Sequence, residues 1–102
     1  MRECHLSTWT ITYVHPDLER WNQFLEAHLR WIEQRLDDGS IIASGPLPDE
    51  LLLSALIIMD ARDRTHVDQL LAGDPFMAEG LVTQLTVRRW EPIFGMLADK
   101  AG

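Results

Sequence analysis

The stretch "LLLSALIIMD", residues 51–60, is apolar except for Ser54 and the closing Asp60, and its apolar residues do not alternate with polar ones. It falls well short of the roughly 20 residues that a membrane-spanning helix needs. Read as a strand, a run without alternation has both faces buried. Whatever flanks this segment must therefore cover it from two sides.

Immediately upstream, "SIIASG" at 40–45 is a short strand broken by "GPLPDE" at 45–50. Immediately downstream, "DRTHVDQLLAG" at 63–73 carries a helical period through Val67, Leu70 and Leu71. Nearer the N-terminus, "LSTWTITYV" at 6–14 is β-branched and aromatic, with Trp9, Ile11 and Tyr13 on one face and Leu6, Thr8, Thr10 and Val14 on the other. The helix that follows it runs between Asp17, placed to cap it, and Gly39. Its apolar residues Leu18, Trp21, Leu25, Leu29, Ile32 and Leu36 recur at three- and four-residue steps. Near the C-terminus, "LVTQLTVRRW" at 81–90 alternates, with Leu81, Leu85 and Val87 on one side.

The order is β-α-β-β-α-β, which predicts an α+β, ferredoxin-like fold with an antiparallel four-stranded sheet. Two helices cover one face of such a sheet. The two-faced strand asks for a second cover, and another copy of the same sheet supplies it, so a homodimer is expected. At 102 residues the chain makes one domain, assigned to residues 1–95, followed by a tail at 96–102. That tail, "MLADKAG", reads equally as a helical turn, a domain-swapped arm or a frayed end.

Nine basic residues against sixteen acidic ones give a net charge of −7, the wrong sign for a nucleic-acid surface. The N-terminal "MRECHLSTWT" lacks the apolar centre of a secretory signal, which predicts a cytoplasmic protein without a membrane partner. Cys4 is a single cysteine, with no second one for an internal disulfide. Neither a P-loop nor a G-x-G-x-x-G stretch occurs, and no histidine pair has the i, i+4 spacing of a helical metal site. No cofactor and no structural metal are therefore expected.

Among the histidines His28 stands out, three residues after Leu25 and four before Ile32, at the edge of the helix's apolar face. An imidazole there reaches both the core boundary and a cleft, and its ordinary pKa of about 6.5 suits proton transfer. The plainer alternative is a boundary histidine bonded to a backbone carbonyl. His5 and His15 flank the first strand, and His66 begins the second helix. The tryptophans at 9, 21, 31 and 90 either line a pocket for a flat substrate or serve as core and interface. Arg88 and Arg89 read as surface charge or an anion site.

In "LLAGDPFMAEG", residues 70–80, Gly73 suits a left-handed helix end, Asp74 a cap and Pro75 a first helical position. These roles need no chemistry.

Three longer stretches, "EAHLRWIEQRLDDGSIIASGPLPD", "DPFMAEGLV" and "LTVRRWEPIF", resemble the YCII-related family. The marks are His-Leu at 28 and 29, Gly-Pro at 45 and 46, and Asp-Pro-Phe at 74 to 76. The resemblance implies a subunit that dimerises as an α+β barrel and an active-site pair formed by His28 and Asp74. A relative in that family eliminates chloride from a hydroxylated chloroaromatic, and muconolactone isomerases share the wider barrel fold. An isomerase or lyase of dehydrochlorinase type, acting on a small cyclic or aromatic metabolite, is the expectation that follows. His28 would move the proton, Asp74 would orient it, and Tyr13, Ser44, Gly45, Pro46, Phe76 and Trp90 would form the pocket wall. The alternative from a different class is a non-catalytic dimeric module that binds a small ligand or a protein through the same cleft.

Overall fold

A computed structural model of the chain describes residues 6–48 and 53–98. Cys4, His5, the first two leucines of the 51–60 run and residues 99–102 of the tail lie outside the described residues. The elements are β1 (Ser7–Val14), α1 (Leu18–Asp37), β2 (Ile41–Pro46), β3 (Ser54–Ala61), α2 (Arg64–Leu71), α3 (Pro75–Ala78) and β4 (Thr83–Trp90). The four strands form one antiparallel sheet in the order β2-β3-β1-β4, the ferredoxin-like arrangement. A short third helix, α3, begins at the Asp74 cap and Pro75 that the sequence marks as a helix start.

Strand parity places Ile11 opposite Ile57, Trp9 opposite Met59 and Tyr13 opposite Ala55. These residues share the face that meets the helices, where Ile11, Tyr13, Ile57 and Met59 pack with Trp31, Val67 and Leu71. The intervening residues of β3, Leu56, Ile58 and Asp60, point to the second face. There Thr8 donates to Asp60 at 2.9 Å, and both side chains are buried. Leu56 and Ile58 share a concavity of about 200 Å³ with Ala43 on the edge strand β2.

Three local readings are corrected. On α1 the fully buried residues are His28 and Trp31, while Leu18, Leu29 and Leu36 are 56%, 51% and 47% exposed. The helix is rolled so that its aromatic edge, rather than its leucine stripe, faces inward: Trp31 packs in the core with Ile11, Ile57 and Met59, and His28 meets Asp74 and Phe76. On β4, Gln84 adopts a left-handed φ of 52° and the pairing with β1 shifts between Thr12 and Val14. The irregularity breaks the alternation, so Leu81 is buried before the strand begins while Leu85 is 42% exposed. Gly73 is absent from the left-handed residues, since α2 ends on Ala72 with φ −60°. What Gly73 supplies is room: a Cβ there would lie 3.2 Å from Trp31 Nε1.

Candidate active site

Each polar residue of the site is placed by the end of an element. Tyr13 comes from the last turn of the β1 pleat, and His15, two residues on, keeps the same parity as the chain leaves the sheet. Its backbone N–H donates to Leu53 O at 2.9 Å, tying that exit to the segment before β3. His28 comes from the middle of α1, a helix capped by Asp17, whose carboxylate accepts from Arg20 N at 3.2 Å. Asp74 caps α3, with Pro75 in the first helical turn.

At that cap one atom serves two groups. Asp74 Oδ1 accepts from Phe76 N at 3.0 Å and lies 2.7 Å from His28 Nδ1. A carboxylate only accepts, so with Asp74 ionised the proton of this contact sits on Nδ1. Nε2 is then the nitrogen left for another partner. Asp74 is 0% exposed, and its Oδ2 has no partner among the described residues. An ionised carboxylate held this deep depends on its few contacts, because burial without compensation is costly. The cap that needed no chemistry is thus also the group that holds the imidazole.

Two aromatic rings lie beside the imidazole. Phe76 stacks on His28 at 4.0 Å between centroids and 9° between planes. Trp31, one turn further along α1, stacks at 6.2 Å and 27°.

Beside this arrangement lies a cavity of about 430 Å³. Tyr13 comes from β1 and His15 from just after it, Trp21, Leu25, His28, Leu29 and Ile32 come from α1, Ser44, Gly45 and Pro46 from β2, and Phe76 from α3. Leu53, Ser54 and Ala55 complete the described wall. No lysine or arginine lines it among the described residues, so a carboxylate or phosphate would meet the Asp74 charge without a cation to offset it. The Tyr13 phenol is pushed well above its ordinary value of 10.0 by burial and by the Asp74 charge, which keeps it protonated. Burial lowers the pKa of His15 and favours its neutral form; the ring's approach to its own backbone opposes this, the nearby His28 adds to it and Asp74 opposes it. Beside Gly45 the space is open, since an added Cβ would meet nothing within 4 Å. No cluster of three or more His, Cys, Asp or Glu side chains suited to a metal ion occurs among the described residues.

Of the wall residues expected from the sequence, Tyr13, Ser44, Gly45, Pro46 and Phe76 line the cavity, whereas Trp90 does not. Trp90 pairs with Thr8, at the opposite end of β1 from Tyr13, and parity turns it to the second face of the sheet. His15 is the notable addition, and of the four tryptophans only Trp21 is on the described cavity wall. A signal for His15 was available, because it continues the Trp9, Ile11, Tyr13 parity.

The model of the YCII-related domain matches residues 8–91. The chain belongs to the YCII-related family. Among solved structures, 5-chloro-2-hydroxyhydroquinone dehydrochlorinase (TftG) from Burkholderia phenoliruptrix AC1100, in complex with 2,5-dihydroxybenzoquinone, superposes with a TM-score of 0.67 at 23% identity. That alignment covers 80% of this chain and 92% of the other. A conserved protein from Methanosarcina mazei Go1 aligns with a TM-score of 0.52 at 19% identity, covering 83% of this chain and 91% of that one. Both likenesses concern the fold. None of the curated proteins compared matches the chain. No helix among the described residues is long and apolar enough to cross a membrane.

Proposed function

We propose that this YCII-related protein is an acid–base enzyme of lyase or isomerase type, acting on a small flat ring that bears hydroxyl or enolisable groups. The observation that carries the reading is the 2.7 Å contact between His28 Nδ1 and Asp74 Oδ1 at the wall of a largely apolar cavity. Asp74 fixes the tautomer, and Nε2 of His28 exchanges the proton with the substrate. Tyr13, Ser44, Gly45, Pro46 and Phe76 form the wall that holds the ring.

The dehydrochlorinase among the fold neighbours suggests a concrete case. On a chlorinated hydroxyhydroquinone, His28 takes a hydroxyl proton and the oxygen's electron pair forms a carbonyl. The carbon bearing chlorine gains a proton. Loss of a second hydroxyl proton then expels chloride with its bonding pair, so the net change is loss of HCl.

The working unit in this reading is a cytoplasmic homodimer whose second copy covers the other sheet face. Leu56, Ile58 and Ala43 form an apolar concavity there, and Ile93, Phe94 and Met96 stand 70%, 87% and 94% exposed. Large apolar side chains exposed to this degree favour a protein partner.

Chloride release from 5-chloro-2-hydroxyhydroquinone, followed with and without His28→Gln, tests the reading. Turnover that falls by about 10²-fold or more in the variant is the expected result. Undiminished turnover overturns the role of His28. Binding without turnover, unchanged in His28→Gln, replaces the enzyme by a non-catalytic ligand-binding module.

A further inference from the structure

His28 is not the only imidazole on this cavity. His15 lines it from the exit of β1, its side chain nearly sealed from solvent at 5% exposure for the residue. Three aromatic rings set its orientation: Trp21 stacks at 5.7 Å and 22°, while Tyr13 and Phe76 lie tilted at 5.7 and 5.6 Å. Phe76 is the same ring that stacks on His28 from its other contacts, so the two imidazoles flank one phenyl group. No salt bridge reaches His15 among the described residues, and its Nδ1 has no hydrogen-bond partner among them.

That arrangement costs free energy as it stands. A neutral imidazole carries one donor and one acceptor, and a buried polar atom left unpaired is destabilising. Aromatic packing at the end of a strand would be served more cheaply by phenylalanine. Nδ1 is itself sealed, so the polar ring is explained if its other nitrogen, Nε2, which is not among the sealed atoms, bonds something that enters the cavity.

We infer that His15 is a second ligand-binding residue of the pocket, a neutral imidazole that hydrogen-bonds one edge of a flat, uncharged, two-ended ligand whose other polar group faces His28. The inference rests on the proposed use of the cavity for small ring compounds and specifies the ligand: two polar groups on one ring, with no carboxylate or phosphate. The two imidazoles differ in role. His28 is tied to Asp74 and exchanges the proton, whereas His15, without a carboxylate contact, aligns the ring. The absence of lysine and arginine from the described lining agrees with an uncharged ligand.

Hydroquinone and p-xylene are suitable probes, since they share an outline and differ in hydroxyl against methyl. In the full chain labelled with ¹⁵N, hydroquinone is expected to shift the imidazole nitrogens of both His15 and His28. His15→Phe preserves an aromatic ring and removes the nitrogens. It should weaken hydroquinone binding about fivefold or more, the loss of roughly one hydrogen bond, while changing p-xylene binding less than twofold.

A shift at His28 with none at His15 overturns the inference and leaves the acid–base reading standing. Equal weakening of both probes reduces His15 to packing and overturns it as well. Silence at both imidazoles in the unmodified protein overturns the pocket reading and this inference together. If His15→Phe does not fold, the nitrogen shifts of the unmodified protein decide.

Discussion

Phe76 lies flat on the His28 ring, 4.0 Å between centroids and 9° between planes, two residues after Asp74 takes hold of Nδ1 on that same ring. A four-residue helix therefore constrains the imidazole twice, once by charge at its cap and once by stacking in its first turn. Rotation of the ring about its own axis is opposed by the Asp74 contact, and tilting is opposed by the Phe76 face. Such double constraint is what a proton-transfer group needs, because misplacement by a fraction of an ångström erodes the rate.

Asp74→Asn separates the cap from the charge. Asparagine caps about as well as aspartate, and its amide oxygen can still accept from Phe76 N and from an Nδ1–H. Thermal stability should shift by less than about 1 kcal/mol, while turnover falls by about 10²-fold or more. Parallel melting curves and rate measurements check this. Intact turnover would leave Asp74 as a cap alone.

Gly73→Ala probes the packing behind the site. The new methyl would lie 3.2 Å from Trp31 Nε1 and 3.5 Å from Leu70 O, and the buried indole has little room to retreat. Overpacking of this kind costs about 1–3 kcal/mol, partly offset by the lower entropy of the unfolded chain. A lowered melting temperature with altered tryptophan fluorescence is expected, since Trp31 also stacks on His28.

The lowered pKa of His15 has a consequence for stability. Its value in the folded chain lies below the ordinary 6.5, so between the two values the unfolded chain binds more protons. Stability contributed by neutral His15 is full above pH 6.5 and is lost as pH falls through and below that value. Melting temperatures measured from pH 7 to pH 5 should therefore fall less steeply in His15→Phe than in the unmodified protein. The neighbouring His28 and Asp74 are unchanged by the substitution and remain in both curves.

The second sheet face and the C-terminal apolar residues bear on assembly. Light scattering at micromolar concentration is expected to give the mass of two chains. Phe94→Ser removes an aromatic side chain that is 87% exposed in the single chain, so it should shift mass toward the monomer without lowering the stability of the subunit. A species of single-chain mass in the unmodified protein would count against the dimer.

Much of the fold is written in local pattern. The Trp9, Ile11, Tyr13 parity, the Asp17 and Asp74 caps and the apolar run into Met59 each reflect constraints within a few residues. Such constraints act on the chain before any tertiary contact forms, which is why the element order can be read from periodicity alone. Periodicity is silent about how a helix rolls on its sheet. The leucines of α1 satisfy the helical period, yet Leu18, Leu29 and Leu36 remain exposed while His28 and Trp31 are buried.

His28 and Asp74 stand 46 residues apart, and only their resemblance to a family pattern joined them in the sequence. Their 2.7 Å contact requires α1 and α3 to pack on one sheet face, a consequence of burial summed over many residues. The same packing excluded Trp90, which antiparallel pairing carries to the Thr8 end of β1, and brought in His15 by parity with Tyr13. Which segments are strands and helices is settled by neighbours along the chain, and so are the Asp17 and Asp74 caps. Which side chains meet around the cavity was decided only in the tertiary structure, because that depends on how separate elements fill a shared volume.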